Sequence, residues 1–282
     1  MQPQWDFPEE HIQLWANKLE RDTGVQLGQL QDSILPRQIA QRMRELSITD
    51  IDDYFSLACQ SLPEWQQLLD RLLVKETHFF RNRDVLNGIK QRVVERLHDQ
   101  TLSKNFDVWS LGCATGEEAY SLAVTLHECF QQQTARGNYF SVTGLDISQG
   151  ALDTARGRTY AKSRLALAKP FEVVRYFDEN NGKYRVKDEI ANRVTFVKGN
   201  LTALNSATQI PMDVIVCLNV LIYFRRWRRR ELLNRLVSWL KPGGLLIVGS
   251  GELPGWQHPK LNMFAMGGAQ AYQLLEPQAA AN

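Results

Sequence analysis

Residues 106–121 read FDVWSLGCATGEEAYS, and this stretch decides the fold class. Its first six residues form a short apolar strand, and a glycine-bounded loop, Gly112–Gly116, separates the strand from a helical pattern that starts at Glu117. A second apolar run, Tyr139–Leu145, follows that helix and ends at Asp146. The order strand, glycine loop, helix, strand and acid predicts a β-α-β unit with parallel strands.

The rest of the chain continues this alternation. Two more strands are predicted at Arg193–Val197 and Val214–Leu218, a helix at Arg226–Leu240 and a fifth strand at Leu245–Gly249. Repeated β-α-β units with right-handed crossovers predict an α/β fold with a doubly wound, mostly parallel, Rossmann-like sheet.

The N-terminal quarter of the chain has a different pattern. Apolar residues recur at helical spacing between residues 9 and 73, and the second of four predicted helices carries them at Leu35, Ile39, Met43 and Leu46. Asp32 or Ser33 is expected to cap that helix. We therefore predict a small helical bundle at residues 1–74 and a sheet domain at residues 75–282.

An insertion interrupts the sheet domain at about residues 170–192. Val173–Phe177 and Tyr184–Val186 have the composition of strands, and they flank an Asn181-Gly182 pair. Asn-Gly is a strong signal for a two-residue β-turn. The sequence therefore predicts an inserted β-hairpin subdomain.

Composition excludes several classes of protein. The 282 residues carry a formal net charge of only +2, so the chain as a whole is not predicted to bind polyanions by charge. No apolar run approaches the length of a membrane helix, and the first ten residues lack the pattern of a secretory signal. The four cysteines form no CxxC pair, so neither a metal site nor a disulfide framework is predicted. We expect a cytoplasmic monomer that does not insert into a membrane.

The glycine loop and the helix after it predict the kind of ligand. Gly112 and Gly116 let backbone approach a ligand closely. A phosphate site would leave the helix N-terminus bare, but here Glu117 and Glu118 occupy the first turn, where they repel phosphate. A ligand with cationic character fits better, and S-adenosylmethionine carries both a sulfonium and an ammonium group. The alternative is that the two glutamates only stabilise the start of the helix.

Three polar residues follow predicted strands at the same sheet edge. Asp146 ends the second strand, where a carboxylate commonly accepts hydrogen bonds from both ribose hydroxyls; the alternative is a helix N-cap. Asn200 and Asn219 follow the third and fourth strands. An asparagine there offers an acceptor and two donors to an adenine edge or to the amino group of the methionine part.

Four motifs resemble the bacterial chemotaxis receptor methyltransferases of the CheR type. Lys75–Arg81 (KETHFFR) is similar to the family's N-x-T-x-F-F-R signature, and Gly112–Ser121, Gly144–Ser148 and Cys217–Phe224 are similar to its later motifs. The resemblance runs from about residue 10 to residue 275. It implies S-adenosylmethionine as cofactor and glutamate side chains of chemotaxis-type receptors as acceptors, which become methyl esters.

The resemblance also implies a set of cofactor-site residues. They are Thr77, Arg81, Gly112, Glu117, Asp146, Asn200, Leu201, Asn219 and Val220. Lys75 stands where the family has asparagine, and its side chain cannot accept a hydrogen bond. If the segment is helical, Thr77 and Arg81 share one face, form part of a lid and place Arg81 near the cofactor carboxylate. The alternative for Arg81 is an exposed charge, and Phe79 and Phe80 are expected to pack between the domains.

The acceptor decides what chemistry the protein must supply. A glutamate side chain is already ionised at neutral pH, so no base is required, and the sequence shows no clear one. Tyr223, after the fourth strand, can donate a hydrogen bond to one oxygen of an acceptor carboxylate. We therefore predict Tyr223 as a catalytic residue, and the resemblance implies Arg81 as a second one; the alternative for Tyr223 is a partly buried residue of the sheet edge. A binding module without activity is a further alternative.

Basic residues suggest two kinds of partner. Arg225–Arg230 contains five arginines and a tryptophan. The alternative function is therefore methylation of RNA or of another protein that binds this cluster. Nucleic acid is not the favoured partner. For a receptor's helical signalling domain, we predict docking through Arg37 and Arg44, opposite the apolar arc of the second helix, or through the 173–186 hairpin. Arg42 falls at the edge of that arc, and a position against the cofactor domain stays open.

Overall fold

The computed structural model describes residues 7–26, 28, 33–73, 76–99, 104–131, 139–204 and 210–276. In this part of the chain the helices are α1 (Glu9–Thr23), α2 (Ile34–Glu45), α3 (Ile51–Gln60), α4 (Leu62–Leu72), α5 (Arg83–His98), α6 (Glu117–Gln131), α7 (Gln149–Gly157), α8 (Pro170–Tyr176), α9 (Asp188–Ala191) and α10 (Arg226–Val237). The strands are β1 (Asn105–Leu111), β2 (Tyr139–Asp146), β3 (Thr159–Ala161), β4 (Phe177–Asn180), β5 (Lys183–Val186), β6 (Val194–Lys198), β7 (Met212–Cys217), β8 (Leu240–Gly249), β9 (Leu261–Met266) and β10 (Ala269–Leu274). None of these helices is both long and apolar enough to cross a lipid bilayer.

Helices α1–α4 form the predicted N-terminal bundle around their own apolar core. Trp15, Ile39, Tyr54 and Leu68 are among its fully buried residues. Asp50 caps α3 by accepting hydrogen bonds from two backbone N–H groups, and Ser61 caps α4. Ser33 precedes α2 without a side-chain cap, and Asp32 lies outside the described residues.

The apolar arc of α2 differs from the prediction at both edges. Leu46 is 37% exposed, because the helix has ended at Glu45. Arg42 is buried inside the bundle, where its Nε donates to Glu64 Oε1 at 2.9 Å, so a position against the cofactor domain is wrong. The Tyr54 hydroxyl donates to the same carboxylate at 2.9 Å. Removal of one partner of such a buried pair costs on the order of 3–5 kcal/mol.

A seven-stranded sheet forms the second domain, in the order β6-β2-β1-β7-β8-β10-β9. The first five strands of that order are parallel, as predicted, and β10 runs antiparallel to both of its neighbours. The strand order reverses between β1 and β7, and ligands of open α/β sheets bind outside the carboxyl ends of the strands at this point. The topology therefore places the candidate site beside the ends of β1, β2 and β7.

The sheet is covered on both faces, because successive side chains of a buried strand point to opposite sides. Val214 and Val216 of β7 pack into the core under α5 and α6, whereas Ile215 and Cys217 pack into the core under α10. One helix and one hairpin that complete the sheet domain are absent from the prediction. Helix α5 carries buried residues at helical spacing, at Val85, Leu86, Ile89, Val93 and Leu97, and the β9–β10 hairpin adds an edge to the sheet.

The insertion is larger than predicted and only partly a hairpin. Strands β4 and β5 are joined by Asn181 and Gly182, both with positive φ, which confirms the predicted two-residue turn. Strand β3 pairs with β5, so the subdomain is a three-stranded antiparallel sheet that begins before residue 170. The predicted strand at Val173–Tyr176 is wrong, because Pro170 and the hydrogen bond from Lys169 N to Glu172 Oε2 (2.7 Å) start helix α8 there.

Candidate cofactor and active site

A cavity of about 250 Å³ lies at the carboxyl edge of the sheet, beside the reversal of strand order. It is lined by nine of the residues that the sequence singles out: Thr77, Arg81, Gly112, Asp146, Asn200, Leu201, Asn219, Val220 and Tyr223. The bundle supplies part of the wall through Thr23, Val25, Leu72 and Leu73. The cavity is therefore built by both domains.

The glycine loop between β1 and α6 needs its first glycine. Gly112 has φ +67°, and a Cβ at this position would lie 2.5 Å from Val220 Cγ2. Its N–H donates to Leu145 O at 2.7 Å, which holds the loop against the end of β2. Backbone therefore forms this part of the wall, and the absence of a Cβ lets it pack directly against Val220.

Asp146 organises the loop at the end of β2. Its Oδ2 accepts from Ala114 N and its Oδ1 accepts from Ser148 N, both at 2.8 Å. The N-cap of α7 is Ser148, whose hydroxyl accepts from Ala151 N, so the alternative that Asp146 caps this helix is wrong. We call residues 146–150 the Asp146 loop. Its carboxylate is fixed at the cavity wall by the glycine loop and by its own chain.

The two glutamates of the first turn of α6 exchange the roles predicted for them. Glu117 is completely buried and lies behind the wall, where Thr115 Oγ1 donates to it at 2.6 Å and burial raises the pKa of its carboxyl. Glu118 lines the cavity instead, and Ser110 Oγ donates to it at 2.7 Å. Burial raises the pKa of Glu118 to about 7. The structure thus corrects the predicted position from Glu117 to Glu118.

Glu117 has a structural connection to the segment that joins the two domains. The Arg164 Nε lies 3.7 Å from Glu117 Oε1, and its Nη1 donates to Thr77 O at 2.6 Å. Arg164 belongs to the insertion, and its carbonyl accepts from Phe79 N at 3.0 Å. Arg164 thereby holds the segment around Thr77 over the start of α6.

The segment from Glu76 to Asn82 is not helical, which corrects the predicted face shared by Thr77 and Arg81. Both residues still line the cavity, and the exposed Arg81 donates from Nη1 to Glu76 O at 3.2 Å. Phe79 packs edge-on against Tyr160 and Phe177 of the insertion, each at 4.9 Å between ring centroids, rather than between the bundle and the sheet. Lys75 lies outside the described residues.

The two asparagines are placed differently. Asn200 lines the cavity, but its Nδ2 donates to Asp22 O at 2.9 Å and its Oδ1 accepts from Thr202 N and Thr202 Oγ1. Its side chain therefore ties the end of α1 to the sheet domain. Asn219 is exposed and has φ +60°, a backbone conformation that asparagine adopts more readily than most residues.

Tyr223 lies on a loop that we call the Tyr223 loop, residues 219–224. Arg229 Nε donates to Phe224 O at 2.7 Å and its Nη2 to Ile222 O at 3.1 Å. On the bundle side, Gln26 N donates to Tyr223 O at 2.7 Å. The buried carboxyl of Glu252 accepts from Gly249 N at 2.8 Å and faces the backbone N–H groups of Val220–Ile222. The loop is held from three separate segments.

The electrostatics of Tyr223 favour a hydrogen-bond donor. Burial raises the pKa of its phenol, and the nearby Arg81 guanidinium opposes that effect only in part. A raised pKa keeps the hydroxyl protonated at neutral pH. The half-buried phenol therefore presents an O–H group to the cavity rather than a phenolate.

The whole described domain arrangement corresponds to one known family. Residues 75–266 match the family model described as "CheR methyltransferase, SAM binding domain", and residues 10–73 match "CheR methyltransferase, all-alpha domain". The chain belongs to the CheR methyltransferase family. It is a methyltransferase that depends on S-adenosylmethionine, as the resemblance predicts, and the matched domains agree with the bundle and sheet found here.

Relatives support the same assignment over most of the chain. The sequence is 32% identical over 249 residues to the chemotaxis protein methyltransferase of Klebsiella aerogenes, covering 86% of this chain and 82% of the relative. It is 32% identical over 248 residues to the chemotaxis protein methyltransferase of Escherichia coli, covering 86% and 84%. A solved structure of magnesium protoporphyrin IX methyltransferase from Synechocystis has a TM-score of 0.37 and 19% identity, covering 69% of this chain and 83% of that chain.

The cavity fits a cofactor with cationic character. Three acidic residues, Glu76, Glu118 and Asp146, line it, and the glycine loop forms part of its wall. An acidic wall favours a cation and disfavours a phosphate. The residues present are therefore consistent with S-adenosylmethionine, the cofactor of this family.

Proposed function

We propose that this enzyme methylates glutamate side chains of chemotaxis-type receptors and produces methyl esters. The observation that carries the proposal is the protonated phenol of Tyr223 in the wall of the cavity, beside Arg81. A glutamate acceptor, with a pKa of about 4.3, is a carboxylate at neutral pH and accepts a hydrogen bond readily. Family membership and the names of the relatives, which are chemotaxis protein methyltransferases, support the same acceptor.

The side chains have distinct tasks in this proposal. When bound, the cofactor would supply an electrophilic methyl group, whose bond to sulfur breaks as the bond to the acceptor oxygen forms, with S-adenosylhomocysteine as the neutral leaving group. Tyr223 donates to one oxygen of the acceptor carboxylate and directs the other oxygen toward the methyl group, while Arg81 pairs with the carboxylate of the cofactor. No proton has to leave the acceptor, so no general base acts in this step.

The remaining wall residues hold the cofactor. The Asp146 carboxylate accepts from the ribose hydroxyls, and Glu118 faces the cationic end of the molecule. Thr77, Gly112, Leu201 and Val220 provide backbone and apolar contacts. Asn219 and the backbone of Asn200 recognise the adenine edge or the amino group, since the Asn200 side chain is already engaged by Asp22 and Thr202.

A chemical property of the product tests the acceptor. We expect incubation with labelled S-adenosylmethionine and a membrane preparation of methyl-accepting receptors to label the receptor. Mild base should release the label as methanol, since carboxyl methyl esters hydrolyse under conditions that leave N-methyl and O-methyl ether groups intact. Label that stays on the protein after mild base would overturn the glutamate assignment.

Receptor docking through Arg37 and Arg44 is the preferred form of the predicted contact. Both residues are exposed on α2, and neither forms an ion pair within the described residues. The hairpin alternative is weaker, because its exposed residues carry both signs: Asp178, Glu179, Lys183 and Arg185. Oppositely charged surfaces accelerate association, so the basic face suits an acidic receptor helix.

Charge reversal tests this contact. We expect the variant with Arg37→Glu and Arg44→Glu to lower kcat/KM for the receptor about tenfold and to bind cofactor normally. The matched control reverses Lys104 and Lys260, two exposed residues at the opposite, amino edge of the sheet. Equal receptor methylation by both variants would place the docking surface elsewhere. A cytoplasmic location and a monomeric state remain predictions; the first is supported by four free cysteines.

A further inference from the structure

The first turn of α10 presents aromatic and basic side chains next to the active site. Trp227 is 56% exposed, although large aromatic side chains usually avoid water, and Ile222 at the cavity wall is 50% exposed. Arg226 and Arg230, one residue before and three residues after Trp227, are exposed and form no ion pair within the described residues. We call Ile222, Arg226, Trp227 and Arg230 the α10 face.

The other arginines of this cluster are used within the protein. Arg225 pairs with Glu20 of the bundle, and Arg229 holds the Tyr223 loop. The Arg228 guanidinium lies over the Trp227 ring at 4.7 Å, which supports the indole in its exposed position. The charges that remain for a partner are therefore those of Arg226 and Arg230, which lie near Trp227 at the start of α10.

Chain connectivity places this face close to the proposed acceptor site. Trp227 follows Tyr223 by four residues, so their Cα atoms are separated by at most about 14 Å. A standard protein interface buries about 800 Å² on each partner, which corresponds to a patch with a radius of about 16 Å. An interface centred on a glutamate at Tyr223 thus reaches Trp227. Tryptophan and arginine are also the residues that most often dominate binding energy at interfaces.

We propose that the α10 face is a docking surface for the segment of the substrate protein that flanks the methylated glutamate, and that this segment carries further acidic side chains. The inference rests on the proposed function. Arg226 and Arg230 pair with acidic side chains near the acceptor, and Trp227 with Ile222 covers the aliphatic part of the same segment. The basic residues of Arg225–Arg230, which first suggest RNA binding, therefore contact an acidic protein segment in this proposal.

The test measures steady-state receptor methylation by variants of the α10 face. We expect Arg226→Glu with Arg230→Glu to raise KM for the receptor about tenfold, and Trp227→Ala to raise it to a similar extent. Neither variant should change the Kd of S-adenosylhomocysteine or the thermal unfolding temperature, since these side chains are exposed and lie outside the cavity wall. The Lys104→Glu, Lys260→Glu control should behave as wild type.

Three results would overturn the proposal. The first is an unchanged KM in both variants, and the second is an equal loss in the control. The third is competition by a single-stranded RNA that the wild type binds with a steep salt dependence and the arginine variant does not bind, because the surface would then recognise phosphate. None of these three results affects whether the wild-type enzyme labels the receptor with a base-labile methyl group. The proposed function and the proposed docking surface can therefore be rejected separately.

Discussion

The Asp146 loop and the Tyr223 loop face each other across the cavity, but they are held in place in different ways. The Asp146 loop is held by hydrogen bonds of its own side chains, since Asp146 accepts from Ala114 N and Ser148 N, and Ser148 caps α7. The Tyr223 loop is held by its backbone: its carbonyl groups accept from Gln26 and Arg229, and Glu252 faces its N–H groups.

The bundle also contacts both loops or the residues next to them. Asp70 of α4 accepts from Ser148 Oγ at 2.6 Å and from Gly150 N at 3.0 Å, and the end of α1 reaches the other loop through the pair of Glu20 with Arg225. The comparison suggests a division of tasks in which one loop binds the cofactor and the other positions the acceptor. If that division is correct, substitutions in the two loops should affect different kinetic constants.

The largest effect is expected from Asp146→Ala. The ribose hydroxyls lose a charged acceptor worth about 1.5–3 kcal/mol, so Kd for S-adenosylmethionine and S-adenosylhomocysteine should rise by about 10- to 100-fold. Calorimetry on the folded variant measures both values. Unchanged affinity for the two ligands would show that Asp146 only organises the glycine loop.

Tyr223→Phe should lower the rate of methyl transfer rather than the affinity for the cofactor. The ring keeps its packing and loses one hydrogen bond to the acceptor, so the single-turnover rate should fall about tenfold while cofactor affinity stays within about twofold. The matched control is Tyr139→Phe, an exposed tyrosine at the start of β2 that lies outside the cavity wall. A variant with the wild-type rate would reduce Tyr223 to a residue of the sheet edge.

The difference between the loops also explains what the sequence could predict. Glycine at position 112, Asp146 and Asn219 follow strand ends, and the rules for parallel sheets bring such positions together without knowledge of the rest of the fold. Arg229 and Glu252 carry no comparable signal, because they hold backbone groups of the Tyr223 loop, and these contacts depend on how the surrounding chain packs. Glu117 and Glu118 show a further limit: adjacent residues of a helix differ in direction by about 100°, so a motif alone does not decide which one faces the ligand.

Glu118 links cofactor affinity to pH. Burial raises the pKa of its carboxyl from 4.5 to about 7, so the group gains its negative charge as the pH rises through 7. Without ligand, burial disfavours the ionised form of Glu118. The neutral carboxyl therefore stabilises the folded protein fully below about pH 4.5, and this contribution is lost as the pH rises through 7. A bound cationic ligand instead favours the ionised form of Glu118. Affinity for S-adenosylmethionine should therefore rise by up to about tenfold from pH 6 to pH 8.

Glu118→Gln provides the matched variant, since the amide has the same shape and does not titrate in this range. Its cofactor affinity should be nearly independent of pH between 6 and 8, as measured by calorimetry in buffers of equal ionic strength. A wild-type enzyme whose affinity is equally flat would contradict the placement of Glu118 beside the cationic part of the cofactor.

The smallest effect is expected for the pH dependence of the chemical step itself, and it separates the two loops most sharply. At saturating cofactor the titration of Glu118 no longer limits binding, and the acceptor glutamate, with a pKa of about 4.3, is ionised throughout. The single-turnover rate should therefore change by less than about twofold between pH 6.5 and 8.5.

Glu118 has a pKa suited to a general base, so a rival mechanism exists in which it removes a proton from an amine or hydroxyl acceptor. In that mechanism the rate would rise about fourfold over the same range, Glu118→Gln would be nearly inactive at saturating cofactor, and the methylated product would resist mild base. The carboxylate mechanism instead requires Glu118→Gln to retain the wild-type rate and Tyr223→Phe to lose part of it, because only the Tyr223 loop then takes part in the methyl transfer.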